Sequence, residues 1–600
     1  MVSRWSPFAR SRSGNVAMMW ALMGAVLVGL VGLTVDFTRA QALRSQMQNA
    51  VDGAALAAAR GDTQTEEQRR DAARAFFDAE MGALASGATL TISDVGDSEV
   101  EVTASMPMPM SLARIVNNEA WTLHVSSEAE RSGNNLEIAL VLDVTGSMSG
   151  SRIVDLRTAA TNLVNTVVRD EQIPYYSKVA LVPYSMGVNA GTYADAARGV
   201  IVGTHDIDNA AWNDGVTRTI SAISRANPAV VTSNGHGFSN GDTVFISNTS
   251  GTMSQVNNRI FTVANANANT FQLAGVNSSS YNSYSGNGGR VRRCLNATCS
   301  VVVTTENDHN YGVNARVYIR SVSGMTQLNN NVYTISAVTQ DTFTLQGSHT
   351  TYSAYSSGGT AYCVVAGCEY NVFNNANNGA QRIFRVSTCV SERIGPQAYT
   401  DAAPAAAPVG TNYPSSANTC PTATITPLTT DRGVLTSRIA SFQAAGSTAG
   451  HIGLAWGWYM ISPRWASLFP AASQGAAYTS PETLKIVVLM TDGAFNTGYC
   501  NGVISDDSDN GAGSASERIN CDATNGNPFD QAEELCDQMK DEGVIIYTVG
   551  FEIGNDDDVV DLMEDCATSA EHAYISNDGD ELIAAFDAIA ASISQLRITR

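Results

Sequence analysis

The residues best suited to chemistry lie in one short run, Asp143-Val144-Thr145-Gly146-Ser147-Met148-Ser149. A carboxylate comes first, and hydroxyls follow two and four residues later. All three are hard oxygen donors, which suit Mg²⁺ or Mn²⁺ rather than zinc. The run follows Leu136-Glu137-Ile138-Ala139-Leu140-Val141-Leu142, the near-continuous apolar pattern of a strand buried on both faces. Asp143 therefore ends a strand, and open α/β sheets bind ligands beyond the carboxyl ends of their strands. A hydrogen-bonded strand-to-helix turn without a metal is the alternative reading of the same residues.

This run resembles the D-x-[ST]-x-S motif of von Willebrand factor type A domains, the metal-ion-dependent adhesion site. The resemblance implies two further elements. A threonine in a Gly-rich loop before a helix is matched by Gly446-Ser447-Thr448, and an aspartate after the central strand by Met490-Thr491-Asp492-Gly493. It thus implies a divalent cation, Mg²⁺ first with Mn²⁺ or Ca²⁺ possible, held by Asp143, Thr145, Ser147, Thr448 and Asp492. A protein partner would complete the coordination with an acidic side chain.

The elements that must position these residues are legible around them. An amphipathic helix over 153–169 and a strand at Lys178–Val182 follow the first motif. Far downstream come a helix at Ile452–Met460, a buried strand at Leu484–Met490, a helix over 530–542, a strand at Val544–Val549 and a closing helix over 580–596. Strand–helix–strand order implies right-handed crossovers and a parallel sheet. The expected fold is α/β, a doubly wound and mainly parallel sheet split by a β-rich insertion. Within 217–370 the composition shifts to Asn, Ser, Thr, Gly and Val, and the sequence repeats. Val230-Val231-Thr232 recurs as Val302-Val303-Thr304, and Thr270-Phe271-Gln272-Leu273 as Thr342-Phe343-Thr344-Leu345, both at an offset of 72. This internal duplication predicts two small antiparallel β modules. They are similar to the short β repeat of some phage virion proteins and to a half-domain of ubiquitin-activating enzymes. The Tyr/Ser/Asn-rich stretch Ser278–Gly289 suits a spacer or an exposed binding surface.

The N-terminus reads as an anchor. Residues 13–35 carry no charge, enough to cross a bilayer as a helix, and Arg4, Arg10 and Arg12 precede them. The positive-inside rule puts the N-terminus in the cytoplasm and the bulk of the chain outside, periplasmic for a single-pass inner-membrane protein. A cleaved leader would have a shorter apolar stretch, and the nearest small-x-small site, Ala55-Leu56-Ala57, lies well beyond it. Leu43, Met47, Val51, Ala54 and Ala58 continue as a helical stripe until Gly61 and Asp62. A helix over 64–83 follows, with strands at Thr89–Ile92, Glu99–Thr103 and Trp121–Val125. Gly14-Asn15-Val16-Ala17 through Asp36, with Ala50-x-Asp52-x-Ala54-Ala55-Leu56-Ala57, Gly450-His451-Ile452-Gly453-Leu454-Ala455-Trp456-Gly457-Trp458 and the ending Ser594-Gln595-Leu596-Arg597, resemble the TadG-like proteins of the tight-adherence (Flp) pilus-assembly machinery. That resemblance implies pilus-assembly components or a surface ligand as partners.

Composition sets the outer bounds. The 600 residues are 44% hydrophobic and 15% charged, which excludes wholesale disorder, collagen and coiled coil. The formal charge of −22 excludes nucleic acid as a partner. Residues 501–570 hold 18 acidic residues against Arg518 and Lys540. Asp506, Asp507 and Asp509 fit no EF-hand loop and read as a solvated loop. The ten cysteines suit an oxidising compartment. Cys294/Cys299 and Cys363/Cys368 would close small loops. Order along the chain pairs Cys389 with Cys420, Cys500 with Cys521 and Cys536 with Cys566, although sequence leaves connectivity open. G-x-S-x-G, G-x-x-x-x-G-K-[ST] and H-E-x-x-H are absent, so binding rather than catalysis is expected. His451 reads as a helix-start or core residue. The expected organisation is a cytoplasmic tail (1–12), a membrane and continuing helix (13–62), a small α+β region (63–132), an A domain in two parts (133–216 and 371–600) and two β repeats (217–370). The expected function is metal-dependent binding in Tad/Flp pilus assembly or surface attachment. The alternatives are a pilus-independent adhesin that uses the repeats and a metal-dependent assembly or chaperone factor.

Overall fold

The computed structural model describes residues 14–59, 66–95, 99–110, 120–130, 133–249, 252–286, 288–554 and 556–596. Arg4, Arg10, Arg12, Gly61, Asp62 and Arg597 lie outside them, as does the tail over 1–12. The uncharged stretch forms the first half of one long helix, α1 (Gly14–Ala59). Its large apolar side chains from Val16 to Phe37 are exposed. From Ala40 onward the helix packs on protein instead. Met47, Ala50, Val51, Ala54 and Ala58 share a core with Ala73 and Phe77 of α2 (Glu66–Met81) and with Val100, Val102 and Ala104. The last three lie on the middle strand of an antiparallel sheet, β1 (Thr89–Val95), β2 (Glu99–Met108) and β3 (Trp121–Glu130). Alternate residues of β2 are buried, as period-two patterning requires for a sheet with one covered face.

The next layer centres on five parallel strands. In chain order its elements are β4 (Asn135–Asp143), α3 (Ser151–Val167), β5 (Ser177–Tyr184), α4 (Arg432–Ala440), α5 (Gly450–Ile461), β6 (Thr483–Thr491), α6 (Pro528–Asp541), β7 (Ile545–Phe551), α7 (Asp557–Cys566), β8 (Ala573–Ser576) and α8 (Gly579–Leu596). The strand order is β5-β4-β6-β7-β8, parallel throughout. Leu140, Leu142, Val488 and Met490 face Leu156, Leu163, Leu435, Phe586 and Ile589 of α3, α4 and α8. Ala139, Val141, Val487 and Leu489 face Trp456, Leu535 and Met563 of α5, α6 and α7. Burial on both faces is why these strands read as unbroken apolar runs. Helix α5 approaches closely because a Cβ at Gly453 would meet the Tyr184 ring and one at Gly457 the Val141 side chain. Near the opposite end of the strands, Lys485 Nζ and Glu137 Oε2 form a buried pair at 2.6 Å, from residues in register on β6 and β4.

Several features differ from the sequence-based expectation. The sheet is mixed. Val188–Asn189, Cys389–Ser391, Gly410–Thr411 and Thr426–Thr429 add antiparallel strands beyond or onto β5, making nine. The insertion makes the chain far richer in β structure than one α/β domain. The first repeat lies in a seven-stranded sheet spanning Arg218–Arg293 and the second in a closed six-stranded barrel. Thr204–Ala211, expected in the first part of the α/β region, instead pairs with Val302–Thr305 and Thr360–Cys363 and closes that barrel. Closure explains its recruitment, because the last strand of the repeat would otherwise present an unpaired edge. Each repeat has its own core, built on Val231, Phe271 and Val291 in one and on Val303, Phe343 and Ala361 in the other.

Candidate cation site at the carboxyl edge of the parallel strands

Strands β4 and β6 are neighbours in register, so their carboxyl ends bring Asp143 and Asp492 together. Asp143 is fully buried. Its Oδ1 accepts from Thr145 N–H at 2.9 Å, and its Oδ2 from Thr491 Oγ1 at 2.9 Å and Tyr184 Oη at 3.2 Å. Ser147 Oγ donates to Asp492 Oδ1 at 2.6 Å and lies 2.8 Å from Thr145 Oγ1. Once Ser147 gives its proton to Asp492, Thr145 must be the donor to Ser147. Both hydroxyls then spend their protons inside the site, and the remaining lone pairs are available to a cation.

Thr448 arrives from a separate loop. Gly146 N–H donates to the Gly446 carbonyl at 2.8 Å, and Ala445 N–H donates to the Val144 carbonyl at 2.9 Å, tying this loop to the first motif. Gly446 has φ +86°, and a Cβ there would sit 3.1 Å from Ser185 Oγ and Asn418 Oδ1, so glycine fits the conformation and the space. Thr448 N–H donates to Asn496 Oδ1 at 2.9 Å, and Asn496 N–H returns to the Thr448 carbonyl at 3.0 Å. The structure therefore joins Asp143, Thr145, Ser147 and Asp492 in one hydrogen-bond network and ties the loop bearing Thr448 alongside it.

Burial and the charge of Asp492 push the Asp143 carboxyl up to about 7, and burial also raises Asp492 against the donors Ser147 and Arg152. Two carboxylates held together out of water call for positive charge. Arg152 of α3 supplies part of it. Its Nη1 pairs with Asp492 Oδ2 at 3.0 Å and its Nη2 with Glu552 Oε2 at 2.7 Å. Asp143, Asp492 and Glu552 share this one guanidinium, so the site has more acidic groups than cationic ones and a bound cation would balance them. Among the described residues no group of three or more His, Cys, Asp or Glu could hold a metal. The donors here are carboxylates and hydroxyls, the hard set that suits Mg²⁺. Asp143 and Asp492 close the back, while Ser147 is exposed at the mouth.

Thr491, Tyr184, Arg152 and Glu552 complete the surroundings and were not singled out from sequence. Thr491 and Tyr184 end parallel strands that flank β4, a signal open to a reader of strand ends. Of the acidic stretch 501–570, Glu552 reaches this site, whereas Asp506, Asp507 and Asp509 are exposed. His451 is the second residue of α5, buried, with its pKa pushed down to about 3 by desolvation. The cysteines form five disulfides: Cys294–Cys299, Cys363–Cys368, Cys389–Cys420, Cys500–Cys521 and Cys536–Cys566. In the Ser278–Gly289 stretch Ser279, Ser280, Asn282, Ser283, Ser285 and Gly288 are exposed, and two side chains anchor the stretch to the sheet. Ser278 is buried and donates to the Ser224 carbonyl at 2.7 Å, and Tyr284 Oη donates to the Ile220 carbonyl at 2.9 Å. Its counterpart Tyr355 makes the equivalent bond to the Ile207 carbonyl at 2.9 Å.

Residues 14–61 match the family model described as putative Flp pilus-assembly TadE/G-like, which supports a pilus-associated protein. Residues 297–364, the second repeat, match the ubiquitin-activating enzyme E1 FCCH domain. No curated protein matches the chain. Similar solved structures include the pilus adhesin SpaC from Lactobacillus rhamnosus GG (9% identity, TM-score 0.27), with 84% of this chain and 34% of that one covered. Others are the vWF domain of the type V pili tip protein Mfa5 from Porphyromonas gingivalis (10%, 0.29; 78% and 97% covered) and the PilB minor pilin from Streptococcus sanguinis (9%, 0.26; 85% and 79% covered). The chain spans about a third of the SpaC length.

Proposed function

We propose that this chain is a membrane-anchored, extracytoplasmic binding protein of a Tad/Flp-type pilus system, acting in pilus assembly or surface attachment. Its α/β region works as a von Willebrand A-like domain. Asp143, Thr145, Ser147, Thr448 and Asp492 hold a divalent cation, most simply Mg²⁺. When bound, the ion supplies a Lewis-acidic point to which an acidic side chain of a protein partner attaches. The chain's own part is positional. Tyr184 and Thr491 fix the Asp143 carboxylate, Asp492 accepts a hydrogen bond from Ser147, and the open face at Ser147 admits the partner. This is binding without turnover.

The observation that carries the reading is the network joining Asp143, Thr145 and Ser147 to Asp492 across 345 residues of sequence, at the carboxyl edge of a parallel sheet. The match at residues 14–61 supports the pilus setting, and the exposed apolar half of α1 supports the anchor. With residues 1–12 in the cytoplasm, the disulfide-bearing bulk lies in the periplasm.

The test is co-purification from membranes with Mg²⁺ or with EDTA, using the wild type and Asp143→Ala. Partners retained in Mg²⁺ and lost in both EDTA and the variant support the proposal. Retention under all conditions removes the cation from the mechanism.

A further inference from the structure

We propose that Arg152 is a built-in counter-ion that competes with the divalent cation for Asp492 and, when displaced, is received by Glu552, so that this pair sets the cation affinity of the site. The inference rests on the cation-binding reading above and concerns its regulation.

Three observations carry it. First, Arg152 bridges the two acids. Nη1 contacts Asp492 Oδ2 at 3.0 Å, while Nε and Nη2 contact Glu552 Oε2 at 2.8 and 2.7 Å. Asp492 is the carboxylate that also takes the Ser147 proton, so one donor to the proposed ligand set is a movable cation. Second, burial is unequal along the bridge. The Asp492 carboxylate is buried with 1% side-chain exposure, whereas those of Arg152 and Glu552 are near 30%. A long side chain at the rim withdraws more readily than a buried aspartate. Third, Glu552 is held against its own backbone preference. It sits directly after β7 with φ +51°, a left-handed conformation uncommon for glutamate, fixed by its N–H to the Ser576 carbonyl at 2.7 Å. Such conformations persist where the surrounding structure fixes them, and they cluster at functional sites. From this position the Glu552 carboxylate meets Arg152.

The charge balance gives the direction. A guanidinium on Asp492 opposes an incoming divalent cation by like-charge repulsion and by occupying an acceptor oxygen. With Arg152 moved fully to Glu552, Asp492 Oδ2 is released to face the ion. Removing Arg152 therefore tightens cation binding. Neutralising Glu552 leaves Arg152 more firmly on Asp492 and weakens it.

The experiment is titration of the detergent-solubilised full chain with MnCl₂ and MgCl₂ by calorimetry, together with melting temperatures in EDTA. Arg152→Ala is expected to bind Mn²⁺ about tenfold tighter than wild type, the effect of one removed like charge near a partly buried site. Its melting temperature in EDTA is expected to fall, because Asp143 and Asp492 lose their counter-ion, and Mn²⁺ should restore it. Glu552→Gln is expected to bind several-fold weaker, and in the Arg152→Ala background that effect should vanish, since Glu552 acts through Arg152. Wild type binding Mn²⁺ with Arg152→Ala equal or weaker overturns the competition and leaves the cation site standing. Glu552→Gln binding as tightly as wild type overturns it as well, and does not depend on Arg152→Ala folding. No Mn²⁺ binding by wild type or any variant sinks the cation reading itself.

Discussion

Single side chains in this molecule are most informative where burial and charge conflict. Glu392 is one such case, away from the proposed cation site. It is buried, Tyr499 N–H donates to its Oε1 at 3.0 Å, and its Oε2 has no partner among the described residues. Desolvation pushes its carboxyl up to about 7 from an ordinary 4.5. The folded state therefore holds this proton more tightly than the unfolded chain. Below pH ~4.5 Glu392 is neutral in both states and costs nothing. As pH rises through 7 its contribution is lost, amounting to about 3 kcal/mol in alkaline buffer. Glu392→Gln keeps the Oε1 acceptor and removes the titration. The variant is expected to melt with wild type near pH 4.5 and clearly above it at pH 8. Equal melting at both pH values would show that the carboxylate is charged at no cost. His451 lines the same small cavity, with Arg393, Trp456 and Gln531, so the pH series must be read for this whole pocket. The contrast with the cation site is instructive. Asp143, Thr145, Ser147 and Asp492 stand out as candidates because their motifs are local and follow strand ends, and Thr448 because its Gly-containing loop leads into a helix. Arg152 and Glu552 do not, because their meeting spans 400 residues and depends on the folded sheet order.

At the scale of elements, what sequence revealed follows from periodicity. Strands buried on both faces, such as β4 and β6, read as apolar runs, and α3, α6 and α8 read as amphipathic stripes. Helix α7 was hidden inside the acid-rich stretch, although Val559, Leu562, Met563 and Cys566 fall at helical spacing and are all buried. Its first turn carries Asp557 and Asp558, which suit a helix N-terminus but make the segment look like solvated loop. Short pieces such as β8, and the antiparallel strands beside β5, are too brief for any period to show. The barrel-closing strand Thr204–Ala211 was missed because its need arises only from its neighbours' edges. Helix α7 is also pinned covalently, since Cys536 on α6 and Cys566 at its own end close a loop of sequence separation 30. Loop-closure entropy assigns such a bond about 3–4 kcal/mol and the Cys294–Cys299 bond, at separation 5, about 2. Replacing both Cys536 and Cys566 by alanine is expected to lower the urea midpoint more than the same change at Cys294 and Cys299. Tryptophan fluorescence is the suitable probe: Trp456, Trp458 and Trp465 lie in the same core as Cys536 and Cys566 and report that pair, while Trp212 lies in the core of Cys294 and Cys299 and reports the other. A larger loss from the short loop would mean that strain or residual structure outweighs chain entropy.

For the whole molecule, the question is whether the β-rich insertion is part of the α/β framework or a passenger on it. The two ends of the insertion meet. Val202 and Cys368 form an isolated parallel bridge, and Val202 N–H reaches the Gly367 carbonyl at 3.4 Å. Both repeats have cores distinct from the two that flank the parallel sheet, and Phe245 and Cys294 of the first repeat join the core of the second. Among the described residues, Tyr370 and Val372 pack on Tyr318 and Val364 at the junction with the remainder, and Tyr311 Oη donates to the Gly203 carbonyl at 2.7 Å. Loop closure depends only logarithmically on length, so exchanging a long folded excursion for a short flexible one costs little. Replacing residues 204–364 with a short Gly-Ser linker, together with Cys368→Ser, is therefore expected to leave a folded protein. The Trp456, Trp458 and Trp465 core should melt within a few degrees of wild type, the shortfall coming from exposed Tyr370 and Val372. Mn²⁺ affinity should be unchanged, because Asp143, Thr145, Ser147, Thr448, Asp492, Arg152 and Glu552 all lie outside the excised stretch. If the shortened chain keeps its cation affinity but no longer retains membrane partners, the repeats carry the recognition and the cation site serves another contact. If it loses both fold and affinity, the barrel is an integral wall of the α/β framework.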